Sequence, residues 1–192
     1  HIPYFPNIPT VNIARRCSHA LSCIRHLSTN DLVGQDATIL IPYMTGLTSV
    51  GLNYHCSLYM PLLIHYCHIL TKLQLCFQDC SVTDILSLCR ANPLLQELVY
   101  DSQSGVTDTT LIKLTHVCPN LHTLWLSHET DITDIGILAL SEHCPQLQML
   151  DISNCKQVTE IARLQLLQRC RKLTYLTVSN LSLSAVAAAQ GK

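Results

Sequence analysis

Between Cys118 and Glu160 the chain states one pattern twice: CPNLHTLWLSHETDITD returns 26 residues later as CPQLQMLDISNCKQVTE. A period of this length constrains the fold more than any composition, because each repeat must be one small structural unit that cannot bury its own apolar face. Taking the first Leu of LHTLWL as an anchor, equivalent anchors fall at Leu21, Leu47, Leu70, Leu95, Leu121, Leu147 and Leu173, at intervals of 26, 23, 25, 26, 26 and 26. Apolar residues follow at plus 3 and plus 5: Val50 and Leu52, Leu73 and Leu75, Leu98 and Tyr100, Leu124 and Leu126, Leu150 and Ile152, Leu176 and Val178. Only the first unit, with Ile24 and His26, is ragged.

Two positions separated by one residue have the period of a strand, whose successive side chains point to opposite faces. Upstream of each anchor the period changes. Met60, Leu63, Ile64 and Cys67, then Ile85, Leu88, Cys89 and Asn92, then Leu111, Leu114, Thr115 and Cys118 have spacings of 3, 4 and 7, which place them on one helix face. The junction carries a hydroxyl and a carboxylate in Val82-Thr83-Asp84, Val106-Thr107-Asp108, Ile132-Thr133-Asp134 and Val158-Thr159-Glu160. These pairs are expected to cap the helices they precede, since both groups suit the unpaired N–H groups and positive end of a helix. Their recurrence at every turn argues against acid-base catalysis. Each unit is thus a strand, a turn and a helix. Stacked wedges of that kind give an α/β solenoid, a horseshoe arc with short parallel strands on the concave side and helices on the convex side.

The stretch CPNLHTLWLSHETDITDIGILALSEHC resembles the cysteine-containing leucine-rich repeat of F-box proteins and of the related mitotic-exit antagonist proteins. The resemblance covers about Cys17 to Asn180 and is strongest from Val106 onward. Met44 and Asn92 stand where a terminal Cys is expected, and Arg163 stands where several other units have an apolar helix residue. The expected organisation is a partial unit or loop over 1–16, a solenoid of about six to seven units over 17–180, and a tail over 181–192. The resemblance implies substrate recognition in an F-box type ubiquitin ligase, whose Skp adaptor and cullin are recruited by a separate helical segment. HIPYFPNIPTVN, with its three prolines, does not read as that segment. A scaffold or inhibitor without a ubiquitin role is the alternative, and the chain reads as an excerpt of something longer.

Among the eleven cysteines, Cys67, Cys118, Cys144 and Cys170 recur just before an anchor, where a small, weakly polar residue fills a helix-to-strand corner. Equivalent corners of stacked units should lie near helix-packing distance, too far apart for disulfides. The odd count also suits a reducing compartment, cytoplasmic or nuclear. HYCHILTKLQLCFQDC, with His65, Cys67, His68, Cys76 and Cys80, raises a metal reading, but Cys67 belongs to a corner and Cys76 to the outer strand face, so no metal site is expected. No nucleophile elbow or phosphate loop is present, and neither catalysis nor a cofactor is expected.

Function is therefore expected on a surface. A net charge of −1 provides no basic field for nucleic acid, and no apolar run reaches the length of a membrane span. The strand period turns plus 2, plus 4 and plus 6 outward. The candidate protein-binding residues there are Lys72, Glu97, Asp101, Trp125, Met149, Asp151 and Tyr175, with Trp125 the only tryptophan. It is either a recognition anchor or a filler beside Met149. Glu97, Asp101 and Asp151 suggest a partner segment carrying Lys or Arg.

Overall fold

A computed structural model describes residues 14–28, 35–53, 56–76, 80–101, 105–126, 131–178 and 181–182. The strands are β1 (His26–Ser28), β2 (Ser49–Leu52), β3 (Lys72–Cys76), β4 (Glu97–Asp101), β5 (Thr123–Trp125), β6 (Met149–Ile152), β7 (Tyr175–Val178) and β8 (Leu181–Ser182). The helices are α1 (Ser18–Ser22), α2 (Gln35–Leu40), α3 (Cys56–Tyr66), α4 (Val82–Ala91), α5 (Asp108–Val117), α6 (Asp134–His143) and α7 (Glu160–Arg169), with a 3-10 turn at Ile41–Tyr43. The strands form one sheet in sequence order, β1 to β7 parallel and β8 antiparallel to β7. Helix packs on helix in the same order from α3 to α7. The chain forms the expected leucine-rich-repeat solenoid. Most of the expected 1–16 segment and 181–192 tail lies outside the described residues.

The plus 3 residues make a single column through the sheet: Leu27, Val50, Leu73, Leu98, Leu124, Leu150 and Leu176 pair in register, and all are buried. Full burial stabilises each such side chain by about 1.5–3 kcal/mol relative to exposure, which no isolated unit could obtain. A second device runs beside it. The carbonyls of Arg25, Thr48, Thr71, Gln96, His122 and Gln148 each accept from the residue one unit later, at 2.7–2.9 Å. The backbone partner of every parallel strand is therefore about one repeat away.

That register corrects the first unit. Leu27 pairs with Val50, so the unit's anchor is Ile24 and its strand begins at His26; Leu21 instead lies buried at the corner position, with its carbonyl accepting from Ile24 N–H at 3.1 Å. Leu and Ile are interchangeable as apolar signals, so a slip of three residues was invisible to spacing alone.

The junctions also differ from expectation. Thr107 and Thr133 do cap their helices through side-chain oxygens, accepting from Thr110 N–H at 3.4 Å and Ile135 N–H at 3.2 Å. Thr159 makes no such bond. In α4 the cap is Ser81, which accepts from Asp84 N–H at 3.1 Å, and Val82-Thr83-Asp84 lies inside the first turn. The carboxylates of Asp108 and Asp134 face away from their own helices' caps and bind the next unit. Asp108 accepts from Thr133 N–H (2.9 Å), Thr133 Oγ1 (2.6 Å) and Gly136 N–H (3.0 Å), and Asp134 accepts from Thr159 N–H and Oγ1, both at 2.6 Å. Position 136 must be glycine for this approach, since a Cβ there would lie 2.5 Å from Asp108 Oδ1 and 2.8 Å from Leu111 Cδ1.

Candidate functional site

The outward strand positions form two rows across the sheet. In the first, Ser49, Lys72, Glu97, Thr123, Met149 and Tyr175 are successive partners; in the second, Gly51, Gln74, Val99, Trp125, Asp151 and Thr177 are. Each site residue expected from the strand period except Asp101 lies in these rows. Asp101 belongs to the backbone of β4, paired with Cys76, but its side chain is outside the described residues. Trp125 and Tyr175 remain 38% and 43% exposed, whereas the inward residues beside them, Leu124 and Leu176, are at 0% and 1%. The alternation comes from strand geometry alone.

Adjacency within the patch is finer than the spacing suggested. The direct cross-strand neighbours of Trp125 are Val99 and Asp151, while Met149 pairs with Thr123 and Tyr175 and so lies diagonal to the indole. Val99, absent from the candidate set, is half-buried and supplies the second apolar neighbour. The signal for it was present, since it shares the plus 4 position of Trp125.

Three of the charged candidates, Lys72, Glu97 and Asp151, are engaged within the chain. Lys72 Nζ lies 2.7 Å from Glu97 Oε1 across β3 and β4. With both side chains substantially exposed, this pair is worth at most about 1 kcal/mol, yet it cancels the local charge. Asp151 Oδ1 accepts from Ser153 N–H at 2.8 Å and from Ser153 Oγ at 2.5 Å, folding the turn after β6.

The corner cysteines lie away from this face, at the helix-to-strand junctions. Cys67, Cys118, Cys144 and Cys170 are fully buried at the corners, and the ten cysteines whose side chains are described are free thiols. Cys144 Sγ donates to Cys118 O at 3.8 Å and Cys170 Sγ to Cys144 O at 3.7 Å, so the thiols make a weak ladder from unit to unit. Burial pushes the Cys67 and Cys170 thiols up to about 11 and that of Cys144 to about 12. Cys89 is raised too, first by its side-chain hydrogen bond with Cys118 and then by burial. Such thiols are poor nucleophiles at neutral pH. In the segment that raised a metal reading, His68 Nε2 donates to His65 O at 3.1 Å, Cys67 is buried and Cys76 accepts from Gln74 Nε2 at 3.5 Å. Among the described residues no group of three or more His, Cys, Asp or Glu could hold a metal, and no helix is long and apolar enough to cross a membrane.

The family model described as leucine rich repeats (2 copies) matches residues 119–165, the span from the β5 anchor into α7. The chain contains a leucine-rich-repeat domain. No curated protein matches the chain. Leucine-rich repeats generally serve protein interaction, so this chain is read as an interaction module.

Proposed function

We propose that the strand face is the binding surface and that a protein segment lies across β3 to β7, contacting Lys72, Glu97, Asp101, Trp125, Met149, Asp151 and Tyr175. The observation that carries the reading is the pair of large aromatics left exposed on a face whose inward side is closed. Exposed aromatics are costly to leave wet and are enriched among residues that dominate binding energy. We also propose that the repeats of residues 17–180 act in substrate recognition for an F-box type ubiquitin ligase, with the Skp adaptor and cullin recruited by a segment outside this chain. Its support is the recurrence of buried cysteine at the corner of successive units, the feature on which the resemblance rests.

Affinity capture with parent and Trp125→Ala baits tests the surface. The substitution should weaken binding by at least about 2 kcal/mol while leaving the unfolding transition nearly unchanged. Glu142→Ala, on α6, should alter neither. Equal yields of the same partner from both baits would move the site off the strand face. Co-purification of Skp and cullin with the full-length protein tests the ligase reading, and their absence beside a captured partner would favour a scaffold or inhibitor.

A further inference from the structure

The strand face divides into two chemically different halves. Over β1 to β3 it presents Ser28, Ser49, Gly51, Lys72 and Gln74, small or polar groups with no large apolar side chain. Over β4 to β7 it presents the large apolar Val99, Trp125, Met149 and Tyr175, interleaved with Glu97, Thr123, Asp151 and Thr177. Two of the carboxylates on this half are engaged within the chain: Glu97 Oε1 is met by Lys72 at 2.7 Å, and Asp151 Oδ1 receives two bonds from Ser153. A basic ligand would have to compete with Lys72 for Glu97 and with the turn for Asp151. An apolar one would displace only water from surface that is costly to hydrate.

We infer that the β4 to β7 half of the strand face takes an uncharged apolar peptide segment of a protein partner, its anchor side chain seated on Trp125 beside Val99 and Met149. This rests on the strand-face reading and narrows it, replacing the Lys- or Arg-bearing segment that the carboxylates suggested from sequence. A screened, charge-assisted contact would weaken steeply with ionic strength, whereas apolar burial does not.

Trp125 is the only tryptophan in the chain, so its emission reports on this surface without background. The experiment is selection of a displayed random dodecapeptide library on the purified chain, followed by titration of the synthesised winners at 50 and 500 mM NaCl. Peptides rich in Leu, Met, Phe or Trp with no net positive charge should be selected. They should shift the Trp125 emission to shorter wavelength as the indole leaves water, and their affinity should change less than about threefold with salt. Trp125→Phe should retain most of the affinity and Trp125→Ala should lose about thirtyfold or more, with circular dichroism confirming that both variants fold. Lys- or Arg-rich winners that shift the emission but lose about tenfold in high salt would overturn this inference and leave the strand face as the site. An empty selection, or winners that bind Trp125→Ala equally and leave the emission unmoved, would overturn both.

Discussion

The first units of the solenoid and the last are built from the same strand and different helices. With the anchor of the first unit at Ile24, the early anchors Ile24, Leu47 and Leu70 are 23 residues apart, whereas Leu95, Leu121, Leu147 and Leu173 are 26 apart. The later units carry ten-residue helices; the second has a six-residue helix and a 3-10 turn containing Pro42. Yet the inward column continues unbroken through both halves. Strand residues hydrogen-bond both neighbours and have no freedom to shift, while a helix can shorten as long as its corner still closes. Irregularity therefore collects in the helical layer.

The corners show how closure is maintained. Where the units on either side use a thiol, Cys67 and Cys118, the unit before β4 uses Asn92, buried to 1% exposure. Its amide accepts from Leu70 N–H at 2.8 Å and donates to Cys67 O at 2.9 Å and Leu88 O at 3.0 Å, stitching two units across a 25-residue interval. One Asn thus supplies three bonds where a Cys supplies a single weak one. Met44, at the same position two units earlier, is buried at its corner.

The comparison can be broken most forcefully at Asn92. Asn92→Ala leaves three buried polar groups without partners, each costing about 1–3 kcal/mol, so denaturant unfolding should show a loss of about 3 kcal/mol or more. Asn92→Cys, which imposes the thiol corner, should recover only part of it; full recovery would mean that the two corners are equivalent.

In the later half the inter-unit carboxylate is the next target. Asp108→Ala removes the acceptor of Thr133 N–H, Thr133 Oγ1 and Gly136 N–H and should destabilise by about 2 kcal/mol. Hydrogen exchange should quicken at the start of α6 more than in β2 or β3. A uniform increase would show that the ladder is not local to the later units.

The thiols provide a pH test. Below about 9 the corner thiols are protonated in both states and contribute no pH dependence. From the ordinary value of 9.0 up to about 11 or 12 the unfolded chain releases protons that folded Cys67, Cys144 and Cys170 retain. The folded pKa is the higher, so stability falls as pH rises through that window, by up to about 1.4 kcal/mol per pH unit for each thiol. Chemical unfolding from pH 8 to 11 should show this fall, and Cys144→Ala should make it shallower. The smallest effect is expected at the exposed Lys72–Glu97 pair, where Lys72→Ala should alter stability by only a few tenths of a kcal/mol; a larger loss would mean that the pair holds β3 to β4.

Much of the fold is legible in the sequence. The plus 3 and plus 5 residues, the outward set containing Trp125 and Tyr175, and the corner role of Cys118, Cys144 and Cys170 follow from spacing, because strand and helix periods are local properties of consecutive residues. The spacing points to Leu21 as the first anchor where the pairing of Leu27 with Val50 sets it at Ile24, since both residues satisfy an apolar pattern. The partners of Asn92 and Asp108, and the pairing of Lys72 with Glu97, were not legible at all.

What the sequence by itself determined is the repeat, the faces of its strands and the residues that close its core. What only the tertiary structure decided is which polar groups meet: Asp108 with Thr133, Asn92 with Cys67 and Leu70, Lys72 with Glu97. The physical reason is that stacking brings residues about one repeat apart in sequence to neighbouring strands about 4.8 Å apart. At that distance a side-chain rotamer and a hydrogen-bond direction choose the partner, and neither is written in the spacing of the chain.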